Sequence, residues 1–114
     1  MYTCMPLYHL AGGGYGVGCA LVCGIPVAIA RRFSVSRFWS DCIKFNATVA
    51  QYIGEMCRFL MTQPPHPKER AHNVRIMAGN GIRPSLWKPF QERFNVPLIV
   101  EVYGSTEGNV TQGE

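Results

Sequence analysis

The residues Tyr103-Gly104-Ser105-Thr106-Glu107 directly follow the apolar run Leu98-Ile99-Val100-Glu101-Val102. A strand that leaves through a glycine turn and then presents Ser, Thr and Glu suits a polyanion with a metal. Hydroxyls donate to phosphate oxygens and a carboxylate holds Mg²⁺. Tyr103 offers a flat face on which a ring can stack. The same residues also make an ordinary strand exit with a polar loop, and five residues alone do not choose between the two.

Other positions pose the same choice. His9 follows Pro6-Leu7-Tyr8 and precedes a glycine cluster. It can cap the next helix or satisfy a carbonyl, or it can face a ligand. Gly79-Asn80-Gly81 can be a tight turn, or a turn whose bare backbone lets a ligand approach. The stretch from Gly12 to Gly18 does not satisfy GxGxxG, and GxxxxGK[ST] occurs nowhere. Its Gly12/Gly16 and Gly14/Gly18 spacings suit close helix packing instead. Arg31-Arg32 reads as a solvated pair closing a strand, and Arg83 is given no role.

These residues need elements to position them. Short apolar runs alternate with helical patterns. Tyr2 to Met5 is extended and stopped by Pro6, and Gly13 to Cys23 forms a small-residue helix. Pro26 to Ala30 is a buried strand. Ser34 caps a helix whose apolar face is Phe38, Trp39, Cys42, Ile43 and Phe45. Thr48 to Ile53 is a strand and Glu55 to Thr62 a helix, with Glu55 and Arg58 one turn apart. A proline-rich loop runs through His72. Val74 to Ala78 is a strand, and Pro84 starts a helix reaching about Phe94 that Pro89 should bend or shorten. Pro97 precedes the last strand. The order β-α-β-α-β-α-β-α-β, with non-alternating strands, gives an α/β fold. Its sheet is mainly parallel, with helices on both faces. Such sheets bind ligands beyond the carboxyl ends of their strands. His9, Tyr52 to Glu55, Gly79 to Gly81 and Tyr103 to Glu107 all fall at those ends.

Composition narrows the classes. The chain has 114 residues, 47% of them hydrophobic and 16% charged, which fits one domain with a modest core. A net charge of +4 without a basic stripe excludes a nucleic-acid footprint. The five cysteines lack CxxC or zinc spacing and read as reduced, mostly buried thiols in a cytosol-facing domain. No basic n-region marks a signal peptide. Leu10 to Ala30 is free of charge and long enough to span a bilayer, at about 20 residues per crossing. Its glycines and Pro26 divide it into a helix and a strand instead.

Met5-Pro6-Leu7-Tyr8-His9, Phe33-Ser34-Val35-Ser36-Arg37-Phe38-Trp39, Gln51-Tyr52-Ile53-Gly54-Glu55, Gly79-Asn80-Gly81 and Tyr103-Gly104-Ser105-Thr106-Glu107 together resemble the adenylate-forming acyl-CoA synthetases. The similarity is greatest to the branch of fatty acid transport proteins and very-long-chain acyl-CoA synthetases. The last segment matches that family's Tyr-Gly-x-Thr-Glu signature. The resemblance implies a parent enzyme that joins ATP and a fatty acid into an acyl-adenylate, then transfers the acyl group to CoA. It implies that Tyr103 flanks adenine, that Gly104, Ser105 and Thr106 meet nucleotide, and that Thr106 bonds the phosphates. Glu107 would hold Mg²⁺. Gly79, Asn80 and Gly81 would form the opposite wall. His9 would stand near the acyl and pantetheine entrance, with Tyr52 and Gly54 in the acyl pocket.

The family's phosphate loop, ribose-binding Asp and catalytic Lys have no counterpart here. Residues 1–114 are therefore expected to be one segment of the large N-terminal AMP-binding domain, inactive alone. The parent would be membrane-associated and cytosol-facing, at the endoplasmic reticulum, plasma membrane or peroxisome. A membrane-embedded lipid carrier segment and a non-catalytic nucleotide-binding module are the competing expectations.

Overall fold

Strand formation follows the β-branched and small apolar runs. A computed structural model describes residues 1–104 and the strand 112–113. The strands are β1 (Tyr2–Thr3), β2 (Ala28–Ile29), β3 (Val49–Ile53), β4 (Ile76–Asn80), β5 (Leu98–Tyr103) and β6 (Gln112–Gly113). They lie in the order β2-β1-β3-β4-β5-β6. The first five pair in parallel. β6 runs antiparallel to β5, opposite Val102 and Tyr103, and was not expected.

Residues paired across a parallel sheet share a face. Tyr2, Ala50, Met77 and Ile99 therefore form one row, and each is at least 95% buried. Three helices cover this face: α2 (Phe38–Lys44), α3 (Gly54–Thr62) and α4 (Pro84–Phe94). They contribute Phe38, Trp39, Cys42, Met56, Leu60, Phe90 and Phe94 to the core. The other face meets a π-helix, Ala11–Gly18, which continues into α1 (Cys19–Cys23). Gly24 ends that helix with a φ of 65°, a left-handed cap that glycine adopts without Cβ strain.

The helix-packing role expected of the glycines holds for two of them. Gly12 and Gly16 are buried, and a Cβ on Gly12 would strike the Pro6 carbonyl oxygen at 2.4 Å. Gly14 is exposed. The uncharged stretch Leu10 to Ala30 divides as expected into helix and strand, but the strand is not the buried run Pro26 to Ala30: only Ala28–Ile29 pair, at the sheet edge, and Ile29 is 48% exposed because nothing covers that edge among the described residues. Among the described residues no helix is long and apolar enough to cross a membrane.

Four further expectations need correction. β1 stops at Thr3 instead of Met5, because the Thr3 hydroxyl accepts from the Met5 amide and turns the chain early. Ser34 does not cap α2 through its hydroxyl, which pairs with Ser36; its carbonyl instead accepts from Arg37 and Phe38. Of the two effects expected of Pro89, bending or shortening, the shortening does not occur, and α4 runs its full length to Phe94. There Phe90 and Phe94 are buried in the core, which holds the turn despite the missing amide donor. Lastly, Gly79 and Asn80 are not a turn. They are the last two residues of β4, paired with Tyr52 and Ile53, and only Gly81 takes a positive φ, 77°.

Candidate functional site

The row one step nearer the carboxyl edge is Tyr52–Gly79–Glu101. Gly79 has no side chain, so the Tyr52 ring lies across β4. A Cβ on Gly79 would meet the Tyr52 carbonyl oxygen at 2.0 Å and its ring at 2.9 Å. The Tyr52 hydroxyl then donates to Glu101 Oε1 at 2.5 Å. The same carboxylate accepts from the Gly81 amide at 2.9 Å and the Ile82 amide at 3.1 Å. Burial, with the Glu101 carboxylate beside it, pushes the Tyr52 phenol well above its ordinary pKa. Glu101 thus ties β3, β5 and the chain leaving β4 into one unit. Sequence reading treated it as part of a strand. Its charge within an otherwise apolar run was the signal that could have found it.

On the opposite face a cleft of about 240 Å³ opens between the π-helix and the ends of β3, β4 and β5. His9, Tyr52, Gly79, Asn80 and Gly104 all line it. The parallel sheet therefore gathers sequence-distant candidates at one place, as the carboxyl-edge rule requires. His9 takes the helix-start role considered for it and also lines the cleft. Its Nδ1 accepts from the Ala11 amide at the start of the π-helix, and its ring is exposed at the cleft. A neutral imidazole accepting at Nδ1 carries its proton on Nε2, leaving a donor for a ligand.

Two residues not singled out from the sequence share this cleft. Gln51 donates from Nε2 to the Ala11 carbonyl at 2.8 Å. Among the described residues its buried Oε1 has no partner, and neither has the buried Tyr15 hydroxyl. Unpartnered buried polar atoms are uncommon, and both belong to residues lining the cleft. Gln51 sits in an apolar strand pattern, and that mismatch, besides its place in the Gln51 to Glu55 segment, was its sequence signal.

Other candidates lie elsewhere. Tyr52 lends the cleft little chemistry, since its ring is 99% buried and its hydroxyl is engaged by Glu101. Gly54 and Gly81 pack against each other and do not line this cleft. A Cβ on Gly54 would fall 1.7 Å from the Gly81 carbonyl oxygen. Tyr103 is 73% exposed at the end of β5. Ser105, Thr106 and Glu107 lie outside the described residues. Arg31 and Arg32 are exposed. Cys4, Cys42 and Cys57 are buried, and burial pushes each thiol up to about 12. Cys19 and Cys23 are exposed. A further cleft, of about 460 Å³, lies at the other end of the sheet beside Trp39, Glu69 and Arg93, remote from the strand exits.

A strand-end cleft with glycine walls and convergent polar groups is the nucleotide-site geometry of open α/β sheets. The profile described as AMP-binding enzyme matches residues 1–111, and the chain belongs to that family. Long-chain fatty acid transport protein 1 of Homo sapiens is 55% identical over 109 residues, which cover 96% of this chain and 17% of that protein. Isopenicillin N epimerase component 1 of Hapsidospora chrysogena is 49% identical over 110 residues, covering 96% of this chain and 18% of that protein. The chain thus spans about a sixth of the length of these curated relatives. Among solved structures, a benzoate CoA ligase from Burkholderia xenovorans superposes with a TM-score of 0.80 at 19% identity, over 93% of this chain and 22% of the ligase. That likeness shows the fold.

Proposed function

We propose that residues 1–114 are a segment of the large N-terminal domain of an ATP-dependent fatty acid–CoA ligase of the fatty acid transport type. The observation that carries this reading is the single cleft shared by His9, Gly79, Asn80 and Gly104 at the carboxyl edge, in an AMP-binding family member. The name of the human relative supplies the substrate class. The parent converts a fatty carboxylate and ATP to acyl-adenylate and pyrophosphate, and CoA then displaces AMP. Attack of a carboxylate on a phosphate brings anions together. Catalysis then rests on positioning and charge neutralisation, not on a side-chain nucleophile.

In this reading Tyr103 flanks adenine, and the backbone of Gly79, Asn80 and Gly81 forms the facing wall. Gly104, Ser105 and Thr106 meet the nucleotide, and Thr106 and Glu107 serve the phosphates. His9 stands at the acyl and pantetheine entrance with Tyr52 and Gly54 behind it. Tyr52 acts there through its packing, because its hydroxyl is held by Glu101. Mg²⁺ fits a donor set of one carboxylate, Glu107, completed by phosphate oxygens and water. Glu101 is not available to it, being engaged by three donors. When bound, the ion neutralises phosphate charge. The parent acts at a membrane, facing the cytosol, and lipid transport follows from trapping the acid as its thioester.

The test is fatty-acid-dependent ATP–pyrophosphate exchange by the purified full-length protein. Exchange is expected with long-chain acids and is expected to fall about a hundredfold in Glu107→Ala, the scale of losing one charge-stabilising group. ATP binding without any acid-dependent exchange would overturn the ligase reading. The isolated 114 residues are expected to give no exchange.

A further inference from the structure

We infer that Glu101 is a positioning residue for nucleotide, holding the backbone wall at Gly79 to Ile82 at a fixed distance from β5. This rests on the reading above, in which that wall faces adenine. Three observations carry it. First, Glu101 receives three hydrogen bonds from two separate segments: the Tyr52 hydroxyl on β3, and the Gly81 and Ile82 amides just beyond β4. Second, Gly81 is the one described residue between β3 and α4 with a positive φ, so the chain leaves β4 through a left-handed glycine joint. A joint of this kind needs an external anchor to hold one geometry, and two adjacent amides on one carboxylate supply it. Third, Gly79 and Asn80, immediately before that joint, line the cleft with Gly104, so a shift of the joint moves the cleft wall directly.

The arrangement is not interchangeable with other polar pairs. Both carboxylate oxygens accept: Oε1 from Tyr52 and Ile82, Oε2 from Gly81. An amide in the same place has one accepting oxygen. Either orientation of a glutamine turns its NH₂ toward at least one backbone N–H, and that donor loses its acceptor. Glu101→Gln therefore perturbs the wall while nearly preserving volume. Tyr52→Phe keeps the ring over Gly79 and removes one of the three donors.

The experiment uses the full-length protein. Equilibrium dissociation constants for Mg-ATP are measured by titration calorimetry, alongside the KM for ATP and for fatty acid and the thermal midpoint. Glu101→Gln is expected to weaken ATP binding about tenfold, the scale of one charge-assisted hydrogen bond lost. The KM for fatty acid is expected to stay near wild type and the thermal midpoint to fall by only about 2–4 °C, the scale of one hydrogen bond. Tyr52→Phe is expected to shift ATP binding in the same direction by less. Unchanged ATP binding in Glu101→Gln overturns the inference, as does a parallel loss of ATP affinity, fatty-acid KM and thermal midpoint, which marks a purely structural role. If Glu101→Gln does not fold, wild-type ATP affinity in Tyr52→Phe counts against it. Should the wild type bind ATP yet lack acid-dependent exchange, the ligase reading falls while the ATP constants still decide the role of Glu101.

Discussion

The two edges of the sheet are built differently. At the amino edge, side chains lock to side chains. Arg93 pairs with Glu69 at 2.9 Å and also donates to the carbonyls of Met61 and Gln63, which close the end of α3. Trp39 stacks on His72 with ring centroids 4.3 Å apart and packs against Phe94 at 4.8 Å. At the carboxyl edge, backbone meets backbone at Gly54 and Gly81, and one carboxylate binds two amides. The cleft there keeps two buried polar atoms without partners among the described residues. The amino edge is closed by side-chain clamps that stabilise the fold, although Trp39 Nε1 and His72 Nε2 there are also buried without partners among the described residues. The carboxyl edge is held by bare backbone, and its two unpartnered atoms, on Gln51 and Tyr15, belong to residues that line an open cleft. One sheet can serve both ends because helix C-termini and strand C-termini lie at opposite edges of a βαβ unit.

The sharpest way to break this contrast is at the bare-backbone contact. Gly54→Ala puts a methyl group 1.7 Å from the Gly81 carbonyl oxygen, and that neighbour is main chain that cannot rotate away. A loss of about 3 kcal/mol is expected, the upper part of the overpacking range. It should appear in the full-length protein as lost hydrogen-exchange protection in β3, β4 and α3, together with lost ATP binding. Wild-type protection would mean that this edge yields, and that the glycine contact is not what holds it.

Much of this division was legible in the sequence, and the gaps have physical causes. The alternating strand and helix pattern placed the parallel sheet, and with it the gathering of His9, Asn80 and Gly104 at one cleft. The Gly79-Asn80-Gly81 run misled, because glycine permits a turn without requiring one. Whether it extends the strand depends on the Tyr52 ring lying across it, a contact between residues 27 positions apart in sequence. Glu101 and Gln51 escaped for the same reason. Their partners, Gly81 and Ala11, come near only after the sheet has formed. β6 was missed because Gln112–Gly113 carries no apolar run of its own and pairs with β5 only in the folded sheet.

A smaller effect is expected at the amino edge, and of a different kind. Arg93→Met removes the donor to Glu69 and to two helix-end carbonyls, leaving a carboxylate whose side chain is only 12% exposed. About 2 kcal/mol of stability should go, somewhat below the cost of breaking a fully buried pair. ATP affinity should stay at its wild-type value, and a fall in that affinity would couple the two edges. The pH profile adds a second reading. Hydrogen bonding from Arg93 holds the Glu69 carboxyl below the usual carboxylate range. A depressed carboxylate contributes stability that is complete above its unfolded value and is lost as pH falls through its folded one. Arg93→Met should flatten that acid loss, measured as exchange protection across residues 61–75.

The finest test concerns His72, beside the same clamp. Its Nδ1 accepts from the Val74 amide at 3.1 Å, its Nε2 is buried without a partner among the described residues, and its ring lies flat on Trp39. Burial holds its pKa below the ordinary 6.5, opposed in part by the backbone of Phe94 and Glu69. The unfolded chain therefore takes up this proton first as pH falls. Stability is full above 6.5 and declines below it, toward the folded pKa, the reverse of a histidine that gains a partner. His72→Asn keeps a side-chain acceptor for Val74 and removes the titration. It loses the stack on Trp39, worth about 1 kcal/mol, so the variant should start lower at neutral pH and change less between neutrality and mild acid. Exchange protection of β4 across that range checks it. An equal slope in wild type and variant would assign the acid sensitivity of this edge to Glu69 alone. A slope change accompanied by altered ATP binding would show that the separation between the two edges is incomplete.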